Sequence, residues 1–204
     1  MKLYDSIGPN PRVVRMAIAE KGMTIEKVTI DLMGAENRQS GYLAKVPTGG
    51  LPALELDDGT VIAEITVIAD FLEDLQPTPA IIGTTPEERA ETRMWVRRID
   101  LAIAEPMTTG FRATEGRPLF SPRMTLLSEA AGAELKAVAQ EKLLWLDKLM
   151  QGNTWVCGNR FTLADLLLLA FVEFGASVGQ PIPAAATWLA EWHKRAAARP
   201  SAAA

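Results

Sequence analysis

Apolar positions change their period several times over the first 75 residues and then settle into a helical period for the rest of the chain. The start "KLYD" is a short apolar segment. From residue 12 to 21, Val13, Val14, Ala17 and Ile18 recur at helical spacing opposite Arg12 and Arg15, which predicts an amphipathic helix. Gly22 follows as a helix-ending residue that tolerates left-handed geometry. Val28, Ile30 and Leu32 then alternate with Thr29 and Asp31, the period of a strand. After a polar stretch to about residue 41, "LPALEL" and "TVIAE" flank Asp57-Asp58-Gly59, and Asp-Gly between alternating apolar runs predicts a hairpin. A helix over 65–75 closes the unit. The order β-α-β, a helical or irregular connection, then β-β-α predicts a mixed sheet with helices packed on it.

The second half carries no strand pattern. "QPTPAIIGTTPEER" is rich in Pro, Gly and Thr and reads as a linker, so the expected division is 1–77, a linker over 78–85, and a helical domain over 86–204. Thr85-Pro86-Glu87-Glu88 supplies a helix start: a hydroxyl cap, a proline suited to the first helical position, and a glutamate able to bond back. Helices are predicted over about 86–105, 124–150, 163–175 and 186–198. "FTLADLLLLAFVEF" is apolar nearly all round, as a central bundle helix should be. Thr162 to Asp165 forms a capping box with Asp in place of Glu, with Phe161 as its staple.

Composition narrows the partners. A chain of 204 residues with 48% hydrophobic and 23% charged residues has material for a sizeable core. A net charge of -4 and a pI near 5.2 argue against a basic face for nucleic acid or an anionic membrane. The longest apolar run, Leu166 to Val172, is too short to span a bilayer, and no stretch of signal-peptide length opens the chain, so a cytoplasmic protein is expected. A single cysteine, Cys157, fits a reducing compartment, and with His193 the only histidine no metal site is expected.

Four stretches could carry chemistry. In "GPNPR", Asn10 reads as an N-cap with Pro11 at the first helical position; equally, a helix start aimed out of a strand end presents free N–H groups to an anion or a thiolate. In "TGGLPALEL", Leu51-Pro52 is either a plain turn into an edge strand or a cis bond that turns the Leu51 backbone outward to pair with an extended peptide. Glu64 before a helix suits the macrodipole; it could also hold an ammonium while the amides of Ile65 and Thr66 hold a carboxylate, so that one stretch reads an amino-acid zwitterion. Cys157 in "WVCGNRFT" reads as a buried, inert thiol, and His193 in "EWHKR" as a surface group.

In this order, "RVVRMAIAEKGM", "VPTGGLPALEL", "GTVIAEITVIADFLE", "WVCGNRFTLADLLLLA" and "WLAEWHKRAAARPS" resemble the cytosolic glutathione transferases, in a bacterial-type member, over essentially the whole chain. The resemblance implies a thioredoxin-like N-terminal domain (βαβαββα), an all-helical C-terminal bundle, a homodimer, a detoxifying role, and glutathione as co-substrate with an apolar electrophile. Leu51 and Pro52 match the family's residue and cis-proline that pair with the cysteinyl backbone of glutathione, and Glu64 its acidic residue for the γ-glutamyl end. Where a serine usually follows stands Ile65, leaving its backbone amide, with Thr66 as a compensating hydroxyl. Gly50 replaces a frequent polar residue, which makes Arg38 the nearest basic group for the glycyl carboxylate. Family members place Tyr, Ser or Cys against the glutathione sulfur; here Asn10 stands there, with Ser6 and Tyr4 as fallback hydroxyls. The electrophile pocket is expected to draw on Ile7, Pro9, Trp95, Ile99, Met107 and Phe111. The alternative is a non-catalytic binding or partner module on the same fold, consistent with the hydroxyls missing at Asn10 and Ile65.

Overall fold

A computed structural model describes all 204 residues and divides them into two compact units, Met1–Thr84 with Pro200–Ala204, and Thr85–Arg199. The first unit is a four-stranded mixed sheet. Strand β1 (Lys2–Asp5) runs parallel to β2 (Glu26–Thr29) and antiparallel to β3 (Ala53–Glu55), which pairs antiparallel with β4 (Val61–Ala63), giving the order β2-β1-β3-β4. Helix α1 (Pro9–Glu20) connects β1 to β2; a 3-10 turn (Glu36–Arg38) and the short α2 (Ser40–Leu43) lead to β3; α3 (Ile65–Leu75) follows β4. Strand β2 ends before Ile30 and Leu32, where the alternation had placed its second half: Ile30 is buried just beyond the strand and Leu32 begins a turn.

The sheet's period of two sorts its side chains onto two cores. Leu3 and Leu54 pack with Val14 of α1 and with Ile68 and Leu72 of α3, while their neighbours Tyr4 and Ala53 face Tyr42, Val46 and Ile30 on the other side. Burying each large side chain of these clusters contributes about 1.5–3 kcal/mol. The segment read as a linker is packed rather than loose: Ile81 and Ile82 are buried, and their amides are bound by the carboxylate of Glu73. The chain's last residues also belong to this unit, where Arg12 donates to the Ala202 carbonyl and Ser201 to Glu20.

The second unit is helical throughout: α4 (Pro86–Ile99), α5 (Glu105–Ala113), α6 (Arg117–Phe120), α7 (Glu129–Leu149), α8 (Leu163–Ser177) and α9 (Thr187–Ala197). Thr85 caps α4 by accepting from the Glu88 amide at 3.2 Å. A π-helical turn, Asp100–Ala104, joins α4 to α5 directly before Pro106, whose ring would meet the Ala102 carbonyl in a regular helix. Helix α8 is buried from Leu163 to Val172, and its capping box is complete. Burial pushes the Asp165 carboxyl up to about 6, although it accepts from the amides of Val156 and Thr162 and the indole of Trp192.

Helices α5 and α7 cross where Gly110 and Gly132 meet. A Cβ on Gly132 would lie 2.7 Å from the Ala113 Cβ and 3.2 Å from the Gly110 carbonyl, atoms with little freedom to move. Gly132→Ala gains about 1 kcal/mol of helix propensity, but the overpacking of about 1–3 kcal/mol should win. Thermal unfolding should therefore show a lower Tm; an unchanged or higher one contradicts the crossing.

Candidate thiol-binding site of the N-terminal unit

The start of α1 differs from the sequence reading in register. Gly8, at φ 111° and ψ 169°, is the N-cap, Pro9 is the first helical residue, and Asn10 lies inside the first turn rather than capping it. The φ of Gly8 is one that a side chain would resist. Both prolines are tolerated because N–H groups of the first turn have no intrahelical acceptor. The same arrangement removes donors: of Pro9, Asn10 and Pro11, only Asn10 carries a backbone N–H. The expected cluster of helix-end amides is thus reduced at this turn to Asn10, which offers its backbone N–H and its side-chain amide together. No side chain caps the helix, and Asn10 is half-buried.

Neither fallback hydroxyl is available. Ser6 is buried and donates to the Ile30 carbonyl at 2.7 Å, and the Tyr4 phenol donates to Glu55 at 2.5 Å. Ile7 is 62% exposed and Pro9 half-buried, one on each side of Gly8.

The Leu51–Pro52 peptide bond is cis. The ladders of β3 with β1 and β4 begin at Ala53, so the Leu51 backbone lies one step beyond the last paired residues, at the end of the sheet. Arg38 belongs to the preceding loop's surroundings: its Nη1 donates to the Thr48 carbonyl at 3.0 Å, and the guanidinium is exposed. Two residues that sequence reasoning passed over, Asn37 and Tyr42, are buried against the same loop. The only signal for them was an aromatic residue in a polar stretch.

Glu64 is the N-cap of α3 at φ 74° and ψ 130°, one of two non-glycine residues with positive φ. Such a conformation costs about 1–3 kcal/mol and recurs at ligand sites. Glu64 is exposed, and its carbonyl accepts from the Ile68 amide at 2.9 Å, the first bond of the helix. The amides of Ile65, Thr66 and Val67 therefore have no intrahelical partner. The Ile65 side chain packs against the Leu3–Leu72 core, which accounts for an apolar residue at this position, while Thr66 is exposed.

In the helical unit, Ile99 and Met107 are fully enclosed at 1% and 0% exposure, which corrects their assignment to a ligand pocket: both are core. Trp95 lies beneath Arg98, with the guanidinium 4.9 Å from the ring centre, and Phe111 is half-buried between Phe120 and Phe174. Cys157 is buried beside Thr92 and Thr162, and burial pushes its thiol up. His193 pairs with Glu173 at 2.9 Å. No helix is long and apolar enough to cross a membrane.

A mixed sheet entered by a cis-proline edge, with open helix starts at α1 and α3, defines a thioredoxin-like domain, followed in sequence by an all-helical domain. Residues 7–75 match the glutathione S-transferase N-terminal domain model and 118–200 the C-terminal domain model. Glutathione S-transferase 2 of Saccharomyces cerevisiae is 34% identical over 98% of this chain and 87% of its own length. The crystal structure of a glutathione S-transferase domain-containing protein from Marinobacter aquaeolei is 37% identical, covering 98% and 99% of the two chains with a TM-score of 0.92. A glutathione transferase homologue from Sulfitobacter, solved with bound glutathione, shares the fold at 24% identity and a TM-score of 0.83 over 99% and 94% of the chains. The chain belongs to the glutathione S-transferase family.

Proposed function

We propose that this chain binds glutathione in its first unit and transfers it, as the thiolate, to an apolar electrophile. The observation that carries the reading is the unpaired Leu51 backbone behind cis-Pro52, standing in the same domain as the open amides of α3 under a strained Glu64. An extended cysteinyl backbone adds to the first as a strand would, and the γ-glutamyl zwitterion suits the second: ammonium on Glu64, carboxylate on the amides of Ile65 and Thr66. Arg38 remains the basic group proposed for the glycyl carboxylate.

Asn10 takes the thiol. A free thiol of pKa about 8.5 gains when its ionised form accepts N–H bonds, and a drop of about two units ionises most of it at neutral pH. In the transfer step the sulfur's electron pair forms a bond to the electrophilic carbon, the leaving group departs with its own pair, and the thiol proton passes to solvent. Proximity and thiolate stabilisation carry the rate. Ile7 and Pro9, beside Asn10 in the same unit, are the residues proposed to meet the electrophile. A homodimer acting in cytoplasmic detoxification completes the proposal.

Titration with glutathione followed by turnover of an aryl halide tests the reading; failure in both, over a panel of electrophiles, would leave a non-catalytic module. For Asn10→Ala, glutathione affinity should stay within a few-fold while the bound thiol's pKa, read from thiolate absorbance, rises by about one unit, since bonds to a charged group are worth about 1.5–3 kcal/mol. The rate near neutral pH should fall about threefold, because a pKa moved from about 6.5 to about 7.5 cuts the thiolate fraction at about pH 7 by that much. Unchanged absorbance and rate would remove Asn10 from the mechanism.

A further inference from the structure

The loop that presents Leu51 contains Gly49 and Gly50, and adjacent glycines leave a free backbone with many conformations to lose. Here three consecutive carbonyls of that loop are each bound by a side chain from one short stretch of chain. Arg38 donates to Thr48; the Asn37 amide donates to Gly49 at 2.8 Å; the Tyr42 phenol donates to Gly50 at 2.7 Å. Asn37 and Tyr42 are 4% and 5% exposed; the Asn37 bond is buried and the Tyr42 bond partly buried. The fit is close: at Gly49, φ 64°, a Cβ would lie 2.8 Å from the Asn37 carbonyl and 2.9 Å from Arg38 Nη1.

Tyr42 is itself held from behind. Its ring meets Tyr4 edge-on with centres 5.7 Å apart, and the Tyr4 phenol and the Lys45 ammonium both donate to Glu55 Oε2 at 2.5 Å. Burial, with Tyr4 alongside, pushes the Tyr42 phenol well above its ordinary range, so it stays a donor across the working pH. The line from β1 and β3 through Tyr4 and Tyr42 ends on the carbonyl directly before Leu51.

We propose that Asn37 and Tyr42 are positioning residues for glutathione: they fix Gly49 and Gly50 so that the Leu51 backbone stands ready as an open strand edge before any ligand arrives. The inference rests on the glutathione reading above. Neither side chain need touch the ligand. When only a fraction of molecules holds the binding-competent backbone, apparent affinity falls by that fraction, while the bound complex reacts as before.

Tyr42→Phe keeps the ring on Tyr4 and removes only the hydroxyl. Glutathione affinity, measured by calorimetry on the full chain, should weaken by more than about twofold and by up to about tenfold, the upper figure being the full size of one neutral hydrogen bond. Turnover of an aryl halide at saturating glutathione, and the KM for that halide, should stay within about twofold. Hydrogen exchange of the 48–52 segment without ligand should quicken. Gly49→Ala attacks the same contacts from the loop side and should give the same pattern. Affinity within twofold of the unaltered protein in both variants, unchanged exchange of the segment, or a lost kcat at unchanged affinity each overturns the proposal. Failure of the unaltered protein to bind glutathione overturns instead the reading beneath it, and that titration comes before any variant.

Discussion

Replacing Glu73 by glutamine should destabilise the N-terminal unit by about 3–5 kcal/mol, the largest effect expected of any single substitution away from the sulfur. Lys21 and Glu73 form an ion pair at 2.6 Å with side chains 0% and 1% exposed. The ammonium also donates to the carbonyls of Gln76 and Pro79, and the carboxylate accepts from the amides of Ile81, Ile82 and Gly83. The pair therefore ties the end of α1 and the end of α3 to the segment 79–83. Two enclosed charges gain little net energy against their desolvation, but breaking the pair strands one of them. Glu73→Gln leaves the Lys21 ammonium buried with only carbonyls, whereas Lys21→Met with Glu73→Gln removes both charges and should recover most of the loss. A cost under about 1 kcal/mol for the single variant in urea unfolding would refute the assignment.

The pH dependence has a definite sign. Burial alone would raise the Glu73 carboxyl, but Lys21 and the amides of Ile82 and Ile81 outweigh it and hold the group below its ordinary value of 4.5. A carboxyl lowered on folding contributes stability fully above that ordinary value and loses it as pH falls through the lower folded one. The gap in stability between the unaltered protein and Glu73→Gln should accordingly be constant near neutral pH and close only in acid, as pH falls below the ordinary 4.5 and through the lower folded value.

This pair was invisible in the sequence. Lys21 precedes Gly22 and reads as an ordinary charge at a helix end; its partner lies 52 positions further along, and no local period announces it. What was legible followed from local rules: the amphipathic face of α1, the Asp58-Gly59 hairpin, the Thr162 capping box and the proline opening β3. What was not depended on contacts distant in the chain, such as Pro200–Ala204 joining the first unit, or on segments too short to show a period. Tyr42 sits on a four-residue helix, and Asn37 on a single 3-10 turn. The shift of Asn10 from cap to first turn has a local cause, because Gly8 can adopt a φ that Asn10 would resist. At Ile65 the sequence showed a missing hydroxyl, and the structure supplies its reason in the core beneath.

Glu64 should separate stability from binding. Its backbone is strained in the folded protein, and a site that holds such strain gains by it only if the geometry serves a ligand. Glu64→Gln keeps the backbone and the size but removes the charge proposed to hold the γ-glutamyl ammonium. Loss of one partner of a hydrogen-bonded charge pair costs about 2–5 kcal/mol, and an exposed site falls at the low end, so glutathione affinity should drop about 30-fold with unfolding unchanged. Glu64→Gly removes the charge and also relaxes the backbone. It should bind glutathione at least as poorly as the glutamine variant yet unfold no more readily than the unaltered protein, because relief of about 1–3 kcal/mol of strain offsets the roughly 0.5–1 kcal/mol that glycine loses in chain entropy. Thermal unfolding beside glutathione titration reads both axes. Wild-type affinity in Glu64→Gln would dismiss the ammonium contact, and a marked fall in stability for Glu64→Gly would mean that the backbone at 64 is held by the fold itself rather than kept for the ligand.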